Sequence, residues 1–428
     1  MLLINRFKNK EHKKLFLNFT NYGIFQVFNY LIPLITIPYI VRVIGAEKFG
    51  VISLALAVSY YFRIIAEYGF SITGVQMIAQ NKDDINKRSE VYSTIITIQL
   101  IFTVVGLLGM LILINVWPTL RAEQLVYMVT YIIVPANVFM ALWFFIGTEE
   151  MHYLNIINLI GRVCYIVFIF IFVKQREDYY IIPILNGGSL LLAGLASLGF
   201  IYRKFNIRYQ FPSFTKMKAY LYEGWPLFAS IFGMNLYRNS NVIILGAVSN
   251  MEVVGIYSAG EKIVKVMQSI FEPITQTLFP YVSRLRVSDP RKSIRSIKTI
   301  LKYMVMLGGT VTFLILFLAK PIAKLTLGPD LIAAKIVIQI GAFVILFGVI
   351  NYILGIIFMT NFGLKNEFSK SVLITGIMNL IICYLLALKW NLVGAAIAFT
   401  SAEILLCCLL VGFILRRRKN FQTEMNEI

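Results

Sequence analysis

Apolar residues run along this chain in long blocks separated by short charged stretches. A helix that crosses the hydrocarbon core of a bilayer needs about 20 apolar residues. Twelve blocks approach or exceed that length, at roughly 16–41, 49–72, 91–116, 124–146, 153–173, 179–202, 221–248, 252–281, 299–319, 332–359, 371–388 and 391–415. The pattern predicts helices. Membrane strands are about 10 residues long with strict alternation, and a helix satisfies its own backbone groups inside lipid. The seventh and eighth blocks nearly abut, as do the eleventh and twelfth, which predicts two tight hairpins.

Polar positions inside the blocks carry the chemistry, because an ionisable group there costs about 2.5–3.5 kcal/mol on insertion scales. In the second block Arg63 and Glu67 are four apart and share a helix face, either as a self-neutralised pair or as a cation facing a cavity. In the eighth, Glu261, Lys265, Gln268, Glu272 and Gln276 fall on one predicted stripe, with Lys262 beside it. A stripe of this kind faces protein or water rather than lipid. The seventh block holds Asn235, Arg238, Asn239 and Asn241. Arg238 has no acid within reach on its own helix, so it needs a partner on another helix or an anionic ligand. Arg162 in the fifth block either snorkels to the interface or faces the interior. Glu403 is central in the twelfth block, placed to balance a cation or to carry a proton. The first block has a weaker stripe, Tyr22, Gln26, Asn29, Pro33 and Thr36, and its prolines Pro33 and Pro38 predict a bend.

Charge fixes the expected orientation. Of the 40 Lys and Arg residues, 26 fall in the termini and loops of one side and 9 in those of the other. The positive-inside rule then puts both termini in the cytoplasm. Arg6 to Lys14 precede an apolar run, Leu15 to Val41, that is too long for a cleaved signal and reads as the first membrane helix. The chain has 428 residues, of which 58% are apolar and only 14% charged, with a mean hydropathy of +0.76. The net charge of +19 does not mark a nucleic-acid binder. Its cations sit in short loop clusters such as Arg203, Lys204, Arg208, Lys216 and Lys218, not on a continuous basic face. Cys164, Cys383, Cys407 and Cys408 lie in apolar runs, and the histidines are His12 and His152, so neither a disulfide framework nor a metal site is expected. Within the blocks, Arg63, Arg162, Arg238, Lys262 and Lys265 slightly outnumber Glu67, Glu261, Glu272 and Glu403. Guanidinium groups match phosphate oxygens in a bidentate way, so the balance favours an anionic substrate group.

A repeat divides the chain. Glu47-Lys-Phe-Gly50-Val-Ile-Ser53 and Glu252-Val-Val-Gly255-Ile-Tyr-Ser258 share the pattern E-x-x-G-[VI]-x-S, each after the first span of a six-span half. Halves of even span number share one topology and are related by an axis along the membrane normal. The expected organisation is a six-helix lobe over 1–205, a cytoplasmic linker over 206–220, and a second six-helix lobe with a basic tail over 221–428.

Pro33-Leu-Ile-Thr-Ile-Pro38-Tyr39-Ile-Val-Arg42-Val-Ile-Gly45 with Phe49-Gly50, then Tyr68-Gly69-Phe70 with Gly74, resembles the N-terminal signature of bacterial polysaccharide flippases. Gly255-Ile-Tyr257-Ser-Ala259-Gly-Glu261-Lys262 resembles their second-half motif. The group is the O-antigen translocases (Wzx-type) of the MATE-like multidrug/oligosaccharidyl-lipid/polysaccharide superfamily. The resemblance implies an all-α integral membrane protein of two six-helix lobes in the bacterial inner membrane. It implies translocation of undecaprenyl-pyrophosphate-linked oligosaccharide repeat units by alternating access through a cationic cavity. By position, Arg63, Arg238 and Lys265 would line that cavity, with Lys262, Arg162, Asn235, Gln268 and Asn29 beside them. No cofactor is implied. Coupling to a proton or sodium gradient would fall to Glu67, Glu272, Glu403 or Glu261. The implied partners are the lipid-linked oligosaccharide, membrane lipids and other polysaccharide-assembly membrane proteins. Two other readings stand beside it. One is a multidrug or small-solute ion-coupled antiporter of the same fold. The other is a membrane-embedded polymerase or glycosyltransferase, which the short outer loops and lack of a D-x-D motif disfavour.

Overall fold

A computed structural model describes the backbone of residues 10–426 and the side chains of residues 35–275 and 277–417. Asn29, Tyr22, Gln26, Pro33 and Gln276 lie outside the described side chains. Among the described residues the regular structure is entirely helical. In chain order the helices are α1 (Lys10–Glu67), α2 (Phe70–Gln80), α3 (Ile85–Val116), α4 (Pro118–Ala122), α5 (Gln124–Thr130), α6 (Ile133–Met140), α7 (Leu142–Gly147) and α8 (Met151–Phe172). They continue as α9 (Ile181–Lys204), α10 (Phe214–Val248), α11 (Met251–Ser269), α12 (Glu272–Ser288), α13 (Pro290–Leu327), α14 (Ala334–Asn351) and α15 (Lys365–Asn426). A π-helical turn, Tyr352–Met359, extends α14.

Eight stretches among the described residues are long and apolar enough to cross a membrane. Two of them, Ile35–Gln80 and Lys365–Arg417, hold more than one expected span. They are broken at Gly45 (φ 78°), where only glycine is unstrained, and at Asn391 (φ 43°, ψ −119°), a positive-φ conformation that side-chain-bearing residues rarely adopt. The two remaining expected spans are α10 and the α11–α12 pair, which carry Asn235, Arg238, Asn239, Asn241, Glu261, Lys262, Lys265 and Gln268. Lipid-facing character shows on α8, where Ile156, Ile160, Val163, Val167 and Ile171 are exposed at helical spacing. An exposed apolar stripe of this length marks a membrane face rather than a water-facing one.

By backbone contacts the chain divides into two units. The first comprises Ala55–Phe232 with the chain up to Thr36, and the second Ile37–Leu54 with Gly233–Ile428. In the first unit, α3, α6 and α9 pack together, and the Tyr131 hydroxyl donates to the Thr103 carbonyl (2.6 Å). The extended stretch after α9 is held on α3. Ser89 Oγ accepts from the Arg208 amide (3.1 Å) and Ser93 Oγ from the Gln210 amide (2.9 Å). Lys216 then pairs with Glu90 at 2.8 Å.

In the second unit, α14 packs on α11, α13 and α15. The repeat glycines explain why Ile37–Leu54 belongs here. A Cβ on Gly50 would collide with the Met251 carbonyl and lie 2.9 Å from the Gly255 amide nitrogen. A Cβ on Gly255 would collide with the Ala46 carbonyl and lie 3.0 Å from the Gly50 nitrogen. The two copies of the motif therefore cross backbone to backbone. Small residues permit this approach, which membrane helices use because lipid offers no hydrophobic drive between them.

One sequence expectation is corrected. The polar stripe from Glu261 to Gln276 is not continuous, because the helix ends at Ser269 and restarts at Glu272. Pro273 is the cause: it has no amide hydrogen for the carbonyl of residue 269, and its ring would clash with that carbonyl.

Candidate functional site

In the first unit the polar centre is on α1. Arg63 Nε lies 3.7 Å from Glu67 Oε1, and both side chains are partly exposed. Arg63 Nη1 also donates to Asn137 Oδ1 on α6 (3.4 Å), and its guanidinium sits 4.5 Å above the Tyr60 ring. The four-residue spacing thus produces the expected pair, and Asn137 is an additional partner from a helix in which the sequence reading marked no polar residue. Arg162 is partly buried on α8.

In the second unit a connected polar network joins α10, α11 and α15. Glu261 is 4% exposed, and its Oε1 lies 3.3 Å from Lys265 Nζ and accepts from the Tyr257 hydroxyl (3.3 Å). Lys265 Nζ donates further to the Arg238 carbonyl (3.1 Å) and to Asn239 Oδ1 (3.2 Å). Asn239 Nδ2 donates to Asn235 Oδ1 (2.8 Å). Asn241 Nδ2 donates to the Tyr257 oxygen (3.3 Å), and Asn379 Nδ2 donates to Asn241 Oδ1 (2.8 Å). A buried network connected in this way restricts its side chains to few arrangements, and it leaves Asn379 Oδ1 buried without a hydrogen-bond partner among the described residues. Lys262, beside it, donates to Ser53 Oγ (3.3 Å) and lies 4.5 Å over the Phe49 ring. The serine of the first repeat motif thus holds a lysine that follows the second. Gln268 packs directly over Gly348 on α14.

Arg238 differs from its neighbours. Tyr237, Ser240 and Asn241 are buried, whereas the Arg238 side chain is exposed. Glu403 and Glu272 lie within its electrostatic range. Glu403, 4% exposed, is positioned by Asn351, whose Nδ2 donates to the Glu403 carbonyl (2.9 Å) and to its Oε2 (2.6 Å). Asn351 is the last residue before the π-helical turn. Such turns displace the register of a helix and recur where it must present a functional group. Glu272 is exposed at the start of α12. The structure therefore places Glu403 and Glu272 within electrostatic range of Arg238, with no ion pair to it among the described residues, and joins Glu261 directly to Lys265. Tyr257, Asn351 and Asn379 did not stand out in sequence. Their signal was an amide or phenol inside an apolar run, and it was weaker than that of a charge. No group of three or more metal-ligating side chains occurs among the described residues.

An all-helical fold with apolar exposed faces and ionisable clusters inside its helices defines a multi-pass membrane protein. Its fold is that of the MATE-like transporters. Over 92% of the chain and 95% of the other it matches an inward-facing multidrug resistance MATE family transporter of the MOP superfamily, at TM-score 0.73 and 14% identity. Over 94% of the chain and 87% of the other it matches the lipid II flippase MurJ in an inward closed conformation, at TM-score 0.68 and 14% identity. Residues 15–286 match the family described as "Polysaccharide biosynthesis protein", and the chain belongs to that family. A protein of Escherichia coli (strain K12), named as a candidate O-antigen transporter, is 29% identical over 395 residues, 92% of this chain and 94% of that protein. One from Shigella flexneri with the same name is 24% identical over 92% of this chain and 97% of that protein.

Proposed function

We propose that this protein is a flippase that carries undecaprenyl-pyrophosphate-linked oligosaccharide repeat units across the bacterial inner membrane, with both termini in the cytoplasm. Family membership and the transporter names of its relatives support transport of a polysaccharide precursor. The observation that carries the reading is Arg238, accessible on a membrane helix where Asn235, Tyr237, Ser240 and Asn241 are buried. An arginine facing acyl chains costs several kcal/mol, about 2.5–3.5 on insertion scales, so its accessible surface belongs to a polar route. A guanidinium there suits a pyrophosphate. Transport proceeds by alternating exposure of this route to the two sides of the membrane. Arg63, Lys265 and Lys262 add positive charge along the route, with Arg162, Asn235, Gln268 and Asn29 contributing polar contacts.

Glu403 and Glu272, within electrostatic range of Arg238, supply a means of resetting the carrier through protonation or sodium binding, with Glu67 and Glu261 as further coupling groups. The test is Arg238→Ala in a flippase-null strain. The expected result is loss of surface polysaccharide with the protein still in the membrane, and partial rescue by Arg238→Lys. Full complementation by the alanine variant would sink the assignment. In proteoliposomes, equal flipping rates with and without a proton or sodium gradient would remove the four acids from the mechanism.

A further inference from the structure

The junction of α12 and α13 is the most basic stretch of the chain, with Arg284 and Arg286 at the end of α12 and Arg291, Lys292, Arg295, Lys298 and Lys302 at the start of α13, all within 20 residues. A cavity of about 490 Å³ opens there, within the range of about 300–1,000 Å³ of small-ligand sites. Arg291, Lys292 and Arg295 line it, opposed by one acid, Asp289, and flanked by the aromatic ring of Tyr281. The cavity bears two net positive charges, and Tyr281 is 44% exposed beside it.

What occupies this cavity follows from the helix that forms its floor. Lys292, Arg295 and Thr299 continue at spacings of three to four residues, through an exposed Thr310, into a face that carries Tyr303, Leu307, Leu314 and Phe317. Those last four are 63%, 45%, 50% and 69% exposed, so one face of α13 runs from the basic cavity into a lipid-facing apolar stripe. At 1.5 Å per residue, Lys292 to Phe317 spans about 38 Å. A ligand with an anionic head and apolar tails matches both parts of that face, whereas a soluble anion matches only the first. We propose that the α12–α13 cavity is a binding site for the headgroup of an anionic phospholipid, whose acyl chains lie along the exposed face of α13. Basic pockets at the membrane surface bind anionic headgroups through this chemistry.

The experiment is native mass spectrometry of the full-length protein in nonionic detergent, with phosphatidylglycerol or phosphatidylcholine added. Phosphatidylglycerol is expected to be retained about 25-fold more strongly, at about fivefold for each of two net charges. The triple variant R291Q/K292Q/R295Q is expected to reduce that preference to near parity, and K320Q/K335Q, in the last turns of α13 and the first turn of α14, to leave it unchanged. Because a triple variant can fail to fold, Asp289→Asn gives an independent reading. Asparagine caps a helix as well as aspartate does, so the bond from the Lys292 amide (2.8 Å) is kept while the opposing charge is removed. Retention should then rise severalfold. Unchanged preference in the triple variant, unchanged retention in Asp289→Asn, or an equal loss in K320Q/K335Q would overturn the site. Displacement of phosphatidylglycerol by millimolar inorganic phosphate would assign the cavity to the free anion instead and overturn the lipid.

Discussion

Removing either member of the Glu261–Lys265 pair should have unequal consequences, and the inequality is set by burial. At 3.3 Å and an effective dielectric near 20, the gross attraction is about 5 kcal/mol. The net worth is much smaller, because the Lys265 side chain is 36% exposed and water screens it. The two partners differ in what they leave behind. Lys265→Met abandons a carboxylate with 5% side-chain exposure whose remaining described partners are the Tyr257 hydroxyl and, without direct contact, the charge of Lys262. An uncompensated buried charge costs about 3–5 kcal/mol. Glu261→Gln leaves a lysine that still has the Arg238 carbonyl, Asn239 and solvent. It also leaves an amide oxygen to accept from Tyr257, so its cost is about 1–2 kcal/mol, that of a weakened charge-assisted bond. The double variant should be more stable than Lys265→Met alone. The assay is unfolding of the purified protein in mixed micelles by rising SDS fraction, followed by tryptophan fluorescence without substrate. If Glu261→Gln costs as much as Lys265→Met, or if the coupling between them is under about 0.5 kcal/mol, burial does not govern this pair.

Two further outcomes follow from the packing. Gly255→Ala places a methyl group against the Ala46 carbonyl, where no flexible side chain can yield, so a loss of about 1–3 kcal/mol is expected in the same unfolding assay, and an unchanged midpoint would refute the close crossing. Ser89→Ala with Ser93→Ala removes the acceptors of the Arg208 and Gln210 amides; limited proteolysis should then nick residues 205–213 several times faster, and an unchanged rate would show that these bonds do not hold the segment.

The fold was legible because length alone identifies a membrane helix, and twelve blocks correspond to helices. Pairs within a helix were legible too, since a spacing of four decides that Arg63 meets Glu67 and Glu261 meets Lys265. Three features were not. Periodicity read straight through Pro273, because a stripe has the same spacing whether or not the helix beneath it is broken. Asn351 meets Glu403 across 52 residues and Asn379 meets Asn241 across 138, and such partners depend on how helices are packed. The return of Ile37–Leu54 to the second unit depends on the same packing, although the matching motifs marked both sides of the contact.

The crossing at Gly50 and Gly255 also orders biogenesis. Ribosomes deliver the chain at about 5–20 residues per second, and roughly 200 residues separate the two glycines, so the earlier motif waits some 10–40 s for its counterpart. During that interval Ile37–Leu54 has entered the bilayer with Gly50 uncovered and Ser53 without Lys262. The first half of this protein therefore leaves the translocon with part of itself unassembled. A nascent chain stalled before α11 would be a substrate for membrane chaperones and quality-control proteases.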